Sequence, residues 1–491
     1  MTKPTVLLAF YRPLDLRFMV VSGAVVRLAE GARVVLLAPE ELLPALAKVL
    51  GQAAELLPLR YWSPKVRRDG RPQAQGPGWR QGLRKALSQA AELAYAEDGR
   101  HRNATGVVMR QEFRRKLAGR PLSGRVGGRL VLACASAACH RRALRRLLQA
   151  GFRRVCGPGR HDDLFRSLRP DLLVVASAGL SIDGQLMCEA RRHGVPVATV
   201  VQSWDKTSTK GYPPVHPDYM LVWSEIMKQE AIRFLEMPAG AVFVEGAPAW
   251  DHYFTLRPSC NRDEFLARHA LAPDTAKVIY VSLGFPAFHE GNLNLLETLA
   301  AAQDGGRLPE RFGLLFRAHP AYHDFPDRHR ELQDAWAKLP RRPYRVLNVP
   351  EATNYEQSFF MSIGDSQNLY DILHHCDVCV EISSTQMIEA AIFDKPIVDV
   401  AFGRWFSPYY DLDVKDLDLE HLRRIFAVNA VPRASGPEEL LRLIGQACAR
   451  RDGLSEARRR LVEQELPVNR GQAARAVADR LIALASSHRR G

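Results

Sequence analysis

Asp377-Val-Cys-Val-Glu-Ile-Ser-Ser-Thr-Gln-Met-Ile-Glu-Ala-Ala391 is a short apolar run that passes, through three hydroxyl residues, straight into a helical pattern. A continuous run of this kind, without apolar/polar alternation, marks a parallel strand buried on both faces. The same pattern recurs along the chain. The first half offers Thr5–Phe10, Arg33–Ala38, Arg129–Ala135, Asp171–Ser177, Pro196–Gln202, Tyr219–Ser224 and Val242–Glu245. The second half adds Lys277–Leu283, Gly313–His319, Tyr344–Asn348 and Pro396–Ala401. Helical patterns such as Trp223–Leu235, Leu293–Ala302 and Gln386–Phe393 lie between them. Repeated βα units imply doubly wound parallel sheets joined by right-handed crossovers. A turn-rich stretch, Leu256-Arg-Pro-Ser-Cys-Asn, precedes a short helix (Arg262–His269), so two Rossmann-like α/β domains are expected over 1–255 and 256–465. A closing helix at about Arg470–Ser487 occupies 466–491.

The 491 residues, 46% hydrophobic and 25% charged, exclude wholesale disorder and suffice for two cores. No run approaches the roughly 18–20 apolar residues of a membrane span. The apolar stretch Val6–Tyr11 is too short for a secretory leader and reads as the first buried strand of a cytoplasmic protein. Eight scattered cysteines form no disulfide framework. The net charge is +14, and most of it falls between Arg60 and Arg129, where 17 Lys and Arg stand against five acids. Tyr61, Trp62 and Trp79 lie in the same segment. This basic insertion, about 60–130, suits a polyanion or the inner face of an anionic membrane, unless it is merely a solvated arginine-rich face. It contains no nucleic-acid-binding module, so nucleic acid is not expected as a partner.

In open parallel sheets, ligands bind beyond the C-terminal strand ends. Four polar clusters fall there. At Ser383-Ser384-Thr385, free backbone N–H groups and a helix N-terminus would receive a diphosphate, and Glu389 one turn on would accept from ribose hydroxyls. The same serines would equally serve as an ordinary N-cap. Arg317-Ala-His319-Pro320 offers a guanidinium for phosphate oxygens and an imidazole for a leaving phosphate. In Ser282-Leu-Gly284 the glycine lets backbone approach a ligand. Gln202-Ser203-Trp204-Asp205-Lys206-Thr-Ser-Thr-Lys210 is the densest polar loop in the chain; Asp205 is the candidate general base, and Lys206 or Lys210 would hold a phosphate. Arg12 and Asp15, in the first βα turn, open toward the same place. Asp411-Leu-Asp413 has metal-binding spacing but reads as a solvated loop, and His374-His375-Cys376-x-x-Cys379 lacks a second CxxC, so no metal site is expected.

Taken in order, these clusters resemble GT-B glycosyltransferases. The branch they resemble holds the CDP-glycerol glycerophosphotransferases, the capsule Kdo transferases and the UDP-N-acetylglucosamine 2-epimerases. The resemblance is carried by Pro217-Asp-Tyr-Met-Leu-Val-Trp-Ser-Glu with Val244-Glu-Gly-Ala-Pro-Ala-Trp-Asp251, by Arg317-x-His319-Pro320, by Asn368-Leu-Tyr-Asp-Ile-Leu through Ser383-Ser384 and Glu389-Ala to Lys395-Pro396, and by Asn469-Arg-Gly-Gln-Ala-Ala-Arg. It implies two domains facing across a cleft, an acceptor-side first domain, a nucleotide-donor second domain, and a last helix that crosses back to the first. It carries His319 to the donor-phosphate histidine, Ser383 and Ser384 to the phosphate turn, and Glu389 to a ribose contact. Catalysis in that fold requires no metal or other cofactor. Gln202-Ser-Trp-Asp205 stands where glycerophosphotransferases have a His-Gly-Thr type segment and epimerases a His-x-Glu segment, which counts against both activities.

The expected function is therefore metal-independent transfer of a sugar or polyol phosphate from a nucleotide-activated donor to a surface-polysaccharide or lipid-linked acceptor. Ser282, Gly284, Arg317, Ser383, Ser384, Thr385 and Glu389 would bind the donor, and Asp205 and His319 would carry the chemistry. Arg12, Asp15, Gln202, Ser203, Trp204, Lys206 and Lys210 would line the acceptor side. The alternatives are a sugar-nucleotide epimerase and a non-catalytic polyanion-binding protein.

Overall fold

The computed structural model describes residues 3–60, 78–95, 104–157, 159–176, 181–209, 211–350, 363–406, 411–413, 415, 418–449 and 452–488. Lys210 and the basic stretch 61–77, with Tyr61 and Trp62, lie outside them. The chain forms two compact units, Met1–Asp251 with Leu466–Gly491, and His252–Glu465.

The first unit contributes β1 (Thr5–Ala9), β2 (Arg33–Ala38), β3 (Glu55–Pro58), β4 (Leu172–Val175), β5 (Val197–Val200), β6 (Tyr219–Val222) and β7 (Val242–Val244). They form one sheet of order β3-β2-β1-β4-β5-β6-β7, all neighbours parallel. β1 and β4 are fully buried apart from Thr5, as continuous apolar runs covered on both faces require. The second unit contributes β8 (Lys277–Ser282), β9 (Phe312–Arg317), β10 (Arg345–Asn348), β11 (Val378–Glu381), β12 (Ile397–Val400), β13 (Arg404–Phe406), β14 (Asp411–Asp413) and β15 (Arg433–Ala434). Its parallel sheet runs β10-β9-β8-β11-β12-β15, and β13 pairs antiparallel with β14. In both sheets the order reverses beside the first strand, between β1 and β4 and between β8 and β11. Those are the switch points where a ligand crevice opens in this class of sheet.

Two expectations need correction. Arg129–Ala135 is not a strand; it lies inside the helix Leu122–His140. The apolar run there continues through Ala137-Ala138-Cys139, too long for a strand and rich in the strongest helix former. That helix belongs to a four-helix insertion between β3 and β4, with Gly78–Leu93, Ala104–Ala118 and Arg142–Val155. Asp411–Asp413 is a strand, not a solvated loop: Asp413 pairs with Arg404 and Asp411 with Phe406.

The final helix, Ala473–His488, packs on the first unit beside Ala24–Gly31. Asp251 caps it, accepting the Ala473 and Ala474 N–H groups at 3.0 and 2.8 Å. Burial outweighs those two amides and raises the Asp251 carboxyl to about 6. Among the described residues, no helix is long and apolar enough to cross a membrane.

Candidate functional site

The second sheet ends in a transverse polar row. Strand register places Asn348 beside Arg317, Arg317 beside Ser282, Glu381 beside Asp399, and Asp399 beside Arg433. Val380 pairs with Val281, which sets Glu381 opposite Ser282 and closes the row across all six strands. Below this row the strands are apolar and buried.

Much of the row is bonded within the protein, although Glu381 Oε1 and one Arg433 nitrogen are buried with no hydrogen-bond partner among the described residues. Arg317 was expected to reach phosphate oxygens, but its guanidinium forks within the protein instead: one nitrogen donates to Asn348 Oδ1 and the other pairs with Asp365 at 2.7 Å. Both ion-pair partners are buried, so Arg317 belongs to the floor of the site. At the other end, Arg433 pairs with Asp399 at 2.9 Å. Burial and the adjacent Asp399 push the Glu381 carboxyl well above its usual range.

The residues two positions beyond the row form the next layer: His319 after β9, Gly284 after β8 and Ser383 after β11. All three follow the C-terminal ends of adjacent strands β9, β8 and β11, beyond the same edge of the sheet. His319 Nδ1 accepts the Ala321 N–H at 3.0 Å, which assigns the ring proton to Nε2 and makes that nitrogen a donor. Phe285 meets the imidazole edge-on at 5.4 Å between centroids. Gly284 is bracketed by Asn292, which accepts its N–H and donates to its carbonyl, both at 2.8 Å. Asn292 also donates to Tyr322 Oη, which ties the loop after β8 to the loop after β9.

The serine turn differs from expectation. Its amides are not free for a diphosphate: Ser383 N–H donates to Asp399 at 2.7 Å and Ser384 N–H to Glu381 at 2.6 Å. Ser384 Oγ accepts the Gln386 N–H at 3.2 Å, the capping role that the sequence also allowed, and Thr385 makes no side-chain cap. The two carboxyls hold Ser383 in a left-handed conformation, φ 43°, that a non-glycine residue adopts only when its surroundings impose it. Glu389 is buried, with Oε2 accepting from Tyr253 Oη at 2.5 Å and Gln386 Nε2 at 2.8 Å, so it does not open toward a ribose.

Sequence reasoning missed a neighbouring cavity. Helix His289–Asp304 starts just past β8, and Gly403 and Arg404 follow β12, so both lie at the same edge of the sheet. A cavity of about 440 Å³ opens there, lined by Glu290, Asn294, Gly403, Arg404 and Asp413. Its size suits a small ligand. The misreading of Asp411-Leu-Asp413 as a loop concealed it.

The first sheet gathers a second cluster at its own switch point. Arg12 pairs with Asp15 at 2.8 Å and donates to Gln202 Oε1 at 3.2 Å. Lys206 Nζ reaches the same oxygen at 2.6 Å, so two cations converge on one carboxamide. Burial and the nearby Asp183 carboxylate push the Tyr11 phenol well up. Tyr11 and Asp183 were not singled out in the sequence, because Asp183 sits one turn into an otherwise unremarkable helix. Asp205 lies beside this group, half-buried, with Ser203 Oγ donating to one carboxylate oxygen and Thr209 Oγ1 to the other at 3.0 Å. Trp204, expected to meet the acceptor, is turned inward and buried.

No protein-family model matches the sequence, and no curated protein matches it. Solved structures do. One is a Listeria monocytogenes protein assigned as a UDP-N-acetylglucosamine 2-epimerase (TM-score 0.53, 11% identity, 99% of this chain and 97% of that one). Another is the UDP-GlcNAc 2-epimerase of Neisseria meningitidis bound to UDP-GlcNAc (0.50, 11%, 98% and 100%). A third is the glycotransferase of kitacinnamycin (0.51, 12%, 99% and 100%).

Proposed function

We propose, taking as premise that the chain has the GT-B fold it shares with these structures, that it is a glycosyltransferase using a nucleotide-activated sugar. The observation that carries this reading is the His319 imidazole, oriented as an Nε2–H donor just beyond the polar row at the strand ends of the second sheet. A donor held in that way meets charge as it develops on a departing nucleotide diphosphate, without reorganising during the reaction. Gly284, with its N–H and carbonyl both held by Asn292 and its Cβ position facing the Phe288 ring, fixes the loop, and the hydroxyls of Ser282 and Thr385 supply polar contacts. Ser383, Ser384, Arg317 and Glu389 act one step back, as the support for that surface.

Three carboxylates of the first unit compete for the role of acceptor base. Asp15 is buried on Arg12, and Asp183 is buried on Tyr11. Asp205 alone of the three is partly exposed, and it accepts from the Ser203 and Thr209 hydroxyls, which an acceptor hydroxyl can replace. Asp205 accepts the acceptor proton in this reading, while Arg12 and Lys206 favour an anionic acceptor. The leaving-group charge is met by side chains and requires no added cofactor.

The structures bound by resemblance include epimerases, and the experiment separates the two activities. The protein is incubated with UDP-N-acetylglucosamine and other UDP-, CDP- and GDP-sugars, with no acceptor present. Thermal stabilisation without turnover, lost in His319→Ala, is expected. Rapid acceptor-independent turnover replaces the transferase reading with an epimerase, and an unchanged response in His319→Ala removes the histidine from the site.

A further inference from the structure

The helical insertion turns an apolar stripe outward. On Leu122–His140, Leu122, Val126 and Leu130 are 74%, 52% and 63% exposed, and Ala133 and Ala137 continue the line in the open. At about 100° per residue these five positions fall within an arc of about 80°, the centre of the solvent face. Arg125 and Arg129 flank them on one side, both exposed. The buried face of the helix carries Leu132 and Cys139 with the small groups Gly128, against Leu117, Ala135 and Ala138. The helix is therefore apolar on two faces, one of them turned away from the core that an apolar stripe usually meets. Neighbouring helices expose Trp79 and Leu147 as well.

Charge identifies what covers this face. From Phe113 to His161 the chain contains thirteen Lys and Arg and no acid. An aliphatic centre with arginine flanks is the composition of a helix that lies in the plane of an anionic bilayer, with its apolar side chains among the acyl chains and its cations at the headgroups. A nucleic acid would be met by aromatic stacking and polar groups rather than an aliphatic stripe.

We propose that the outer face of helix Leu122–His140 docks on an anionic lipid bilayer. The insertion is joined to the acceptor-side loop within the same unit. Helix Ala104–Ala118 packs against the Lys206–Thr209 turn, and Tyr212 N–H donates to Ala91 O at 3.0 Å and Ala94 O at 2.6 Å. Gly211, at φ 69°, lies where a Cβ would come within 2.2 Å of the Glu92 carbonyl oxygen, so the loop and the insertion are in direct backbone contact. Docking therefore holds Asp205 and Lys206 near the membrane surface. Resting on the function proposed above, this makes the acceptor lipid-linked.

The test is cosedimentation of the full chain with phosphatidylcholine vesicles, with and without about 30 mol% phosphatidylglycerol, with no nucleotide present. Binding to the anionic vesicles only, weakened at roughly 0.5 M NaCl, is expected. The triple variant Leu122→Ser, Val126→Ser, Leu130→Ser should bind at least about tenfold more weakly. Arg125→Glu with Arg129→Glu should lower binding about thirtyfold or more. Arg330→Glu, an exposed charge on the second unit, should leave binding unchanged. All the substituted side chains are exposed, and matching melting curves check that the variants fold. Four outcomes each overturn the proposal: no vesicle binding, equal binding by the variants, binding to RNA but not to vesicles, or self-association that the serine variant abolishes. None of them touches the nucleotide response that tests the proposed reaction.

Discussion

In the first sheet the row through Ala9 runs Leu37, Ala9, Val175, Thr199 and Met220; in the second, the row through Ser282 runs Asn348, Arg317, Ser282, Glu381, Asp399 and Arg433. The topology around each switch point is the same, but the chemistry at the strand ends is not. The second unit builds a charged, hydrogen-bonded row into the sheet itself, with His319, Gly284 and Ser383 just beyond it. The first unit's row is apolar apart from Thr199, and its charged groups hang on loops. A rigid floor suits a constant ligand part, the nucleotide diphosphate. Loop-borne groups suit a part that varies between enzymes, the acceptor.

The largest expected effect tests the floor. Arg317→Ala leaves Asp365 buried without its cation, and should cost the second unit about 3–5 kcal/mol, read by denaturant unfolding. Arg12→Ala, whose guanidinium is 25% exposed against 4% for Arg317, should cost less, about 1–3 kcal/mol. Equal losses would erase the distinction between floor and loop. Next comes the base: Asp205→Asn should lower kcat by about 10²–10⁴ while nucleotide affinity stays constant. If affinity falls instead, Asp205 belongs to binding. His319→Ala should lower kcat by about 10²–10³, the effect of removing one donor to developing charge.

The smallest effect is the pH dependence, and here the two units should oppose each other. Asp251 in the first unit has a carboxyl raised to about 6 by burial. Its contribution is fully present below the ordinary value of 3.8 and is lost as pH rises through about 6. His269 in the second unit is lowered to about 4 by burial, with Arg317 and Arg268 adding to it. Its contribution is present above 6.5 and is lost as pH falls through about 4. Asp251→Asn and His269→Gln should therefore change the pH slope of stability in opposite senses between pH 4 and 6. Slopes of the same sign would show that neither group governs its unit.

Most strands were legible, because short continuous Val/Ile/Leu runs between helical patterns read as parallel strands buried on both faces, whereas the strand order, and with it the switch points, was not. Arg129–Ala135 failed because an apolar run alone does not separate a strand from a helix, and β3 was too short and too polar at its ends to register. The strand ends were identified in the sequence, but not which polar residue faces inward. Arg317 and His319 are two residues apart, and only the register with Asn348, together with the position of Asp365 on a distant helix, shows that Arg317 is bonded within the protein. The serine turn misled for the same reason. The carboxyls that hold its amides, Glu381 and Asp399, come from adjacent strands eighteen residues apart. In the first unit, Asp205 was visible as a polar loop residue, whereas its Ser203 and Thr209 partners could be assigned only from the folded turn.

The most direct measurement is hydrogen–deuterium exchange of the full chain with and without saturating UDP, CDP or GDP. Protection confined to the second unit, at the segments around 282–292, 317–325 and 383–389, is the result this account requires. Protection centred instead on residues 10–16 and 181–209, with the second sheet's edge unchanged, would contradict it.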